Sequence, residues 1–525
     1  MRRLVIALVV LSALAAPAGE PSTPSAAVDS VLAEALAVLR INDPRVVERE
    51  TTQFAATLGI DPVPIRAAVG RLLFRSAGLD GIDLTRPALM AWRPGPAPLV
   101  AIIPLKDRRL FLAQFGDSAG SDAPLIRVGE REGTVVYSQN GNDSAVEYRL
   151  LVSDRTAFLA RTVDECRQLA SRPLQPALTE PPLTFTASST WLAGLSLDPS
   201  GWLGATRTDG PDLSALLRLA TLRGLAGATW AELVPQITGL VVDLRPDADG
   251  MIKFQTRVQA LPDSPLAIWI SNQRNQPSRL LPVVAGAKAA MTLTGNIVWQ
   301  GQADRAALPL GELFKSMAGD RWSPVVEETW HSICAIVDRC GPFALALDLD
   351  TKGTALNSEL RLAGDQPRAG ELSAYLASLV QAVTGTASTP LVAGGTGFLV
   401  KPAGGVPAAV IGGERWLVAT RSSINDVEAV SAAIVARGAT LAAPEGASGV
   451  FMLGINLTQF TRVLSQLLGG TPQPVLPPAA WTLVFKTAGP GQLAIDSSLP
   501  VQKVAQLVRD TALLQLTGNE PAPKR

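Results

Sequence analysis

One short match to a catalytic motif stands out in the sequence, the pentapeptide GDSAG at residues 116–120. In serine hydrolases, Gly-x-Ser-x-Gly places the nucleophilic serine on a sharp turn between a strand and a helix, so that helix N–H groups lie near the oxyanion. Ser118 would be that nucleophile. However, the preceding KDRRLFLAQF predicts a helix, and the following SDAPLIRV cannot begin a long one. We therefore expect a polar surface loop, with a serine hydrolase using Ser118 as the less favoured alternative.

The chain has a single histidine, which limits the remaining chemistry. His331, in the predicted helix WSPVVEETWHSICAIV, would have to be the general base for Ser118. One histidine is too few for a histidine-based zinc site, and no phosphate-binding loop or dinucleotide-binding glycine motif is present. The sequence therefore predicts no catalytic residues, no metal site and no cofactor, which favours a protein that is not an enzyme.

Three cysteines are present, Cys166, Cys334 and Cys340. In an exported protein, Cys334 and Cys340 would form a disulfide if the predicted helix ends before Cys340 and the chain turns back. Cys166 is then expected to be a small buried apolar residue.

Two segments predict a strand that runs directly into a helix. They are DRTAFLARTVDECRQLAS, beginning at residue 154, and GERWLVATRSSINDVEAV, residues 413–430. Thr162 with Glu165, and Ser423 with Asp426, have the spacing at which a hydroxyl and a carboxylate cap the first turn of a helix. Arg161 and Arg421 end the two strands, where they either bind an anion with the helix N-terminus or are simply exposed. We favour the second interpretation, with the capping pairs serving to start a helix.

A larger unit, made of a strand, a helical segment, a two-stranded hairpin and another helix, recurs three times. The three hairpins are ITGLVVDLRPDADGMIKFQTRVQAL, PFALALDLDTKGTALNSELRLAG and AAWTLVFKTAGPGQLAIDSSL, which turn near Gly250, Gly353 and Gly491. Each alternates apolar and polar residues, which is typical of a sheet with one covered face and one wet face. Three matches in the same order predict an internal duplication.

The N-terminal sequence MRRLVIALVVLSALAAPAGEP predicts a secretory signal peptide over residues 1–18, because Arg2 and Arg3 precede a short apolar run and small-residue cleavage sites. An uncleaved N-terminal anchor is the alternative. SAAVDSVLAEALAVLRI and two following segments that open with Asp-Pro predict three helices between residues 25 and 78. The protein is then expected to be exported, to the periplasm or the cell exterior, with no transmembrane segment after cleavage.

The expected fold class is α+β, with a helical N-terminal segment and mainly antiparallel sheets that are covered by helices on one face. We expect two tandem related domains, 25–275 and 276–515, followed by a tail at 516–525. The boundary is placed in the polar run SNQRNQPSR, residues 271–279. A chain of 525 residues also exceeds what a single hydrophobic core usually supports.

Composition excludes some partners. With 47% hydrophobic and 18% charged residues the chain is globular rather than disordered. Loss of Arg2 and Arg3 with the signal peptide leaves 44 basic against 46 acidic residues, a net charge near −2. Without basic clusters, a nearly neutral chain has no electrostatic footprint for nucleic acid.

This organisation, with phrases such as GIDLTRPALMAW at 81–92, a strand followed by a capped helix and repeated hairpins, resembles uncharacterised exported α+β proteins of bacterial envelopes. The resemblance covers most of the mature chain, implies no activity and carries no functional residue over. We expect a non-enzymatic binding or scaffolding protein with an unknown protein or apolar small-molecule partner. A carrier of an apolar ligand such as a lipid is the alternative.

Overall fold

A single antiparallel sheet of twenty strands organises the protein, as seen in a computed structural model. The structure describes residues 34–57, 79–94, 99–115, 125–131, 134–139, 147–171, 181–188, 233–246, 251–276, 280–285, 289–298, 311–312, 314–316, 318–339, 341–352, 355–391, 396–402, 405–438, 448–467, 479–501 and 503–504.

The strands alternate with short turns in most of the chain, as the alternating apolar segments predict. They are β1 (Ala37–Ile41), β2 (Ala88–Trp92), β3 (Leu99–Pro104), β4 (Leu125–Arg131), β5 (Thr134–Gln139), β6 (Glu147–Val152), β7 (Thr156–Ala160), β8 (Leu183–Ser188), β9 (Ile237–Pro246), β10 (Ile252–Ala260), β11 (Ala289–Gly295), β12 (Phe343–Lys352), β13 (Ala355–Asp365), β14 (Thr389–Leu391), β15 (Thr396–Val400), β16 (Ala408–Gly412), β17 (Trp416–Ser422), β18 (Phe451–Asn456), β19 (Ala480–Gly489) and β20 (Gln492–Leu499).

Nine helices have defined bounds among the described residues, and several of them are short. They are α1 (Pro44–Thr57), α2 (Arg108–Leu112), α3 (Val163–Ala170), α4 (Pro265–Asn272), α5 (Leu281–Val284), α6 (Pro324–Val337), α7 (Ala369–Thr384), α8 (Val427–Gly438) and α9 (Leu457–Leu467).

The order of the strands in the sheet follows from their pairing. It is β4-β5-β6-β7-β3-β2-β1-β8-β9-β10-β20-β19-β18-β11-β12-β13-β17-β16-β15-β14, and every neighbouring pair is antiparallel. The two halves of the sheet have the same strand order, counted inward from each edge. Strands β4 to β7, β3 to β1 and β8 to β10 of one half correspond to β14 to β17, β13 to β11 and β18 to β20 of the other, and the halves meet where β10 pairs with β20. Two of the three predicted units place their strand and hairpin side by side in this sheet, as β11-β12-β13 and β18-β19-β20. The hairpin of the remaining unit is β9 with β10, whereas the strand predicted before it, residues 189–197, lies outside the described residues.

This topology corrects the expected fold class. Two tandem α+β domains with separate helix-covered sheets were predicted, but β10 pairs with β20 from Ile252↔Leu499 to Gln259↔Gln492, so one sheet crosses the expected boundary. The polar run at that boundary is itself bound to the sheet. Asn275 Nδ2 donates to Thr487 O at 2.9 Å, and Thr487 N donates to Asn275 Oδ1 at 2.9 Å.

The N-terminal segment also differs from expectation. Residues 37–41 were predicted to be helical but form β1, whose alternate residues Ala37, Leu39 and Ile41 are buried. Pairing with β2 on one side and β8 on the other outweighs the helix propensity of Ala37, Leu39 and Arg40. The second predicted helix is observed as α1, whereas the first part of the segment and residues 58–78 lie outside the described residues.

Helices lie on both faces of the sheet, not on one as predicted. Between β12 and β17 one face packs on α6 and α7 through Ile333, Ile336 and Leu372, and the other packs on α5 and α8 through Val284 and Ile434. In the other half, α2 contributes to the core on one face and α3 packs on the opposite face. The strands between these two regions carry the candidate site.

Candidate functional site

Three rows of apolar side chains cross the middle of the sheet on one face. The side chains of a row share that face because directly opposite residues of antiparallel strands point the same way. The first row is Ile495, Phe485, Phe451, Gly295 and Phe343; the second is Leu483, Leu453, Leu293 and Leu345; the third is Trp481, Ile455, Met291, Leu347 and Leu360. We call these residues the central apolar face. It spans strands β20, β19, β18, β11, β12 and β13.

The side chains of the central apolar face are partly exposed. The contrast is clearest on β12, where the small residues Ala344 and Ala346 of the opposite face are 0% exposed, whereas Phe343, Leu345 and Leu347 retain accessible surface. Folding normally buries the larger apolar side chains, since the stabilisation scales with apolar area removed from water. Large residues left accessible over six strands therefore offer surface to an apolar ligand.

Aromatic rings fix the shape of the first row. The rings of Phe451 and Phe485 are stacked with centroids 3.8 Å apart and an interplanar angle of 18°. Gly295 lies between Phe451 and Phe343, where a Cβ atom would come within 2.8 Å of the Cβ of Phe451 and 3.1 Å of the Cε1 of Phe343. Glycine is thus required at this position so that the two rings can approach each other.

A tryptophan closes one end of the third row. Trp481 Nε1 donates to Ser497 Oγ at 2.8 Å, and Ser497 is buried. This hydrogen bond fixes the indole ring against the sheet and provides a partner for its N–H group. The carbon atoms of the ring then contribute apolar surface.

On β19 and β20 the opposite face carries a charged pair. Lys486 Nζ lies 2.6 Å from Asp496 Oδ2, and Gln255 donates to the same carboxylate at 3.4 Å. Two strands further, Thr184 Oγ1 donates to Asp243 Oδ1 at 2.9 Å. The two faces of β19 and β20 therefore differ in character, and the apolar side chains of these two strands lie on the first face.

Helix α9 contacts five of the central strands, β11, β12, β13, β18 and β19. Its first turn is held by Asn456 Oδ1, which accepts from Gln459 N at 3.0 Å, and Gln459 Nε2 donates to Leu349 O at 2.8 Å. Phe460 on this helix is 52% exposed. An exposed phenylalanine thus lies on a helix that crosses the strands of the candidate site.

The capping box predicted at the first strand–helix joint is confirmed. Thr162 Oγ1 accepts from Glu165 N at 3.2 Å, and Glu165 Oε2 accepts from Thr162 N at 3.2 Å and from Arg161 N at 3.0 Å. The same oxygen lies 2.9 Å from Nη2 of the buried Arg93. Burial acts to raise the pKa of Glu165, but Arg93 and these backbone N–H groups outweigh it and the pKa is lowered.

This joint cannot serve as an anion site of the kind weighed for Arg161, because the protein's own carboxylate occupies the helix N-terminus. Sequence reasoning missed Arg93, the main partner of Glu165, because it lies 72 residues away, directly after β2.

At the second joint the predicted capping pair is wrong. Ser423 Oγ accepts from Ser358 N at 2.9 Å and so ties the joint to β13, while α8 begins only at Val427. The buried carboxylate here is Glu359, whose Oε2 accepts from Ser422 Oγ at 2.8 Å and from Asn425 Nδ2 at 2.7 Å. Both joints therefore contain a carboxylate held by hydrogen bonds, but in the second it comes from the neighbouring strand.

The charged and reactive residues singled out in the sequence are not brought together. Arg421 is exposed at the end of β17, and His331 is exposed on α6. Ser118 and the rest of GDSAG lie outside the described residues, as do Cys340 and hence the proposed disulfide with Cys334. Cys166 is fully buried, and burial raises the pKa of its thiol to about 11.

Within the described ranges, no three or more His, Cys, Asp and Glu side chains are grouped so that they could hold a metal ion. None of the helices among those residues is both long enough and apolar enough to cross a membrane.

No protein family model matches the sequence. A search of curated proteins likewise finds no match.

Proposed function

We propose that this chain is an exported, non-enzymatic binding protein of the bacterial cell envelope that carries an apolar molecule such as a lipid on its central apolar face. The observation that carries the proposal is the partial exposure of Leu453, Leu293, Leu345 and their neighbours in three continuous rows. Binding sites for small apolar molecules are lined mainly by aliphatic and aromatic side chains, with a few polar groups.

The contrast between the two faces supports the same proposal. The central apolar face carries leucine, isoleucine, phenylalanine and tryptophan, whereas the other face of β19 and β20 carries the Lys486–Asp496 pair. An apolar molecule gains free energy by covering the first face, at about 25 cal/mol per Å² of apolar surface removed from water. It would have to desolvate charged groups to cover the second.

Export is supported by the N-terminal sequence, in which Arg2 and Arg3 precede a short apolar run. An exported carrier would meet lipids at the membrane surfaces of the envelope. The proposal needs no catalytic group.

The experiment is mass spectrometry of organic extracts from the protein purified without detergent. We expect lipid to be retained in stoichiometric amounts by the wild type, and to be lost in Leu453→Asn. The matched control is Met452→Asn, which places the same polar group on the next residue of β18, facing the opposite side of the sheet. Extracts without lipid from all three proteins would instead favour a scaffolding role.

A further inference from the structure

A buried hydroxyl without a hydrogen-bond partner lies in line with the central apolar face. Thr256 on β10 is 2% exposed, and its Oγ1 has no partner. It pairs across the strands with Ile495, the first residue of the first row, and so points to the same face. The row thus begins at a hydroxyl and continues through Ile495, Phe485 and Phe451.

The surroundings of this hydroxyl are apolar. Its neighbours along β10 on the same face, Phe254 and Val258, are buried, and so is Val242, its partner on β9. An unpaired hydroxyl in such a place costs stability, and valine would fill the same volume without that cost. Ser497, a buried hydroxyl on the same face of β20, differs in having Trp481 as its partner. Thr256 is therefore the polar group of this face whose partner the protein does not supply.

We infer that Thr256 donates a hydrogen bond to an uncharged acceptor, such as an ester carbonyl, at the polar end of the carried molecule. This inference rests on the proposed function and specifies its ligand as a neutral amphiphile. A carboxylate or phosphate is disfavoured, because burying an ionised group against a single hydroxyl leaves its charge uncompensated. The apolar tail then follows the first row from β10 to β12.

The length of that row suits a long acyl chain. Five steps between neighbouring strands separate β10 from β12, which gives about 24 Å at the usual spacing of antiparallel strands. Along this line the tail would meet the stacked rings of Phe485 and Phe451 before it reaches Phe343.

Two fluorescent rod-shaped probes test the inference on the full chain. The methyl ester of cis-parinaric acid carries an ester carbonyl, and diphenylhexatriene is a hydrocarbon without an acceptor. We expect Thr256→Val to weaken binding of the ester about three- to tenfold, the range for one neutral hydrogen bond, and to leave binding of the hydrocarbon unchanged. Thr256→Ser, which keeps the hydroxyl, should bind the ester like the wild type.

Other outcomes distinguish a failure of the inference about Thr256 from a failure of the proposed function. If both probes bind the wild type and Thr256→Val binds each probe with wild-type affinity, Thr256 does not anchor the ligand, while the proposed function stands. If neither probe binds the wild type, the proposed function itself fails. Thermal unfolding of each variant controls for folding, and Thr256→Val should melt at or above the wild-type temperature because it removes an unpaired buried hydroxyl.

Discussion

The pair formed by Arg93 and Glu165 gives a prediction whose size can be worked out from the structure. Glu165→Gln keeps the size of the side chain but removes its charge. Arg93, whose side chain is 7% exposed, then loses the carboxylate that lies 2.9 Å away. Breaking a buried pair from one side costs about 3–5 kcal/mol, and because the Glu165 side chain is itself 16% exposed we expect about 2–4 kcal/mol.

The pH dependence of this loss has a definite sign. The pKa of Glu165 in the folded protein is lowered from its ordinary value of 4.5, so the pair stabilises the protein above that value. As the pH falls through the lowered pKa, the carboxylate takes up a proton and the contribution disappears. The difference in unfolding free energy between the wild type and Glu165→Gln should therefore be full at pH 7 and small well below the lowered pKa.

Urea unfolding followed by circular dichroism at a series of pH values measures this difference. The matched control is Asp164→Asn, one residue earlier on α3, whose ion pair with Arg167 is exposed on both sides and should cost less than about 0.5 kcal/mol. A Glu165→Gln protein that loses no more stability than this control at pH 7, or that loses the same amount at every pH, would refute the reasoning.

Three further predictions concern other parts of the sheet. Gly295→Ala should lower stability by at least about 2 kcal/mol in thermal or urea unfolding, because the added Cβ meets the Cβ of Phe451 at 2.8 Å; an unchanged midpoint would show that β18 can shift away from β11. Asn275→Ala should cost about 1–2 kcal/mol, since it removes two hydrogen bonds with the main chain of Thr487, and wild-type stability would show that this segment is not held to β19. Cys166 should resist alkylation at pH 8 in the folded protein and react once urea unfolds it, because burial raises its pKa to about 11; rapid labelling of the native thiol would contradict its burial.

Local patterns in the sequence predict most strands but not how they combine. Alternating runs locate the hairpins of β9 with β10 and β19 with β20, and the spacing of Thr162 and Glu165 predicts a capping box that is observed. What joins these elements into one sheet is the pairing of β10 with β20, between segments about half the chain apart. No local pattern encodes such a pairing, which explains why two separate domains were expected.

The candidate site depends on the same long-range information. Leu453 and Leu293 are ordinary apolar residues of two strands, and only the register of β18 with β11 places them side by side. Likewise, Ser423 has the right spacing for a cap, but its hydroxyl is bound by Ser358 of β13 instead. The wrong assignment at 37–41 has a similar cause, since pairing on both edges decides the conformation of β1.

The most direct test of the central claim is the affinity of diphenylhexatriene for Leu453→Asn and Met452→Asn, measured by fluorescence on proteins shown to be folded. These variants place one amide group on adjacent residues of β18 that face opposite sides of the sheet. If the central apolar face binds the apolar ligand, Leu453→Asn should weaken binding at least about tenfold, a change of 1.4 kcal/mol, and Met452→Asn should bind like the wild type. Equal affinities in the two variants would contradict the account.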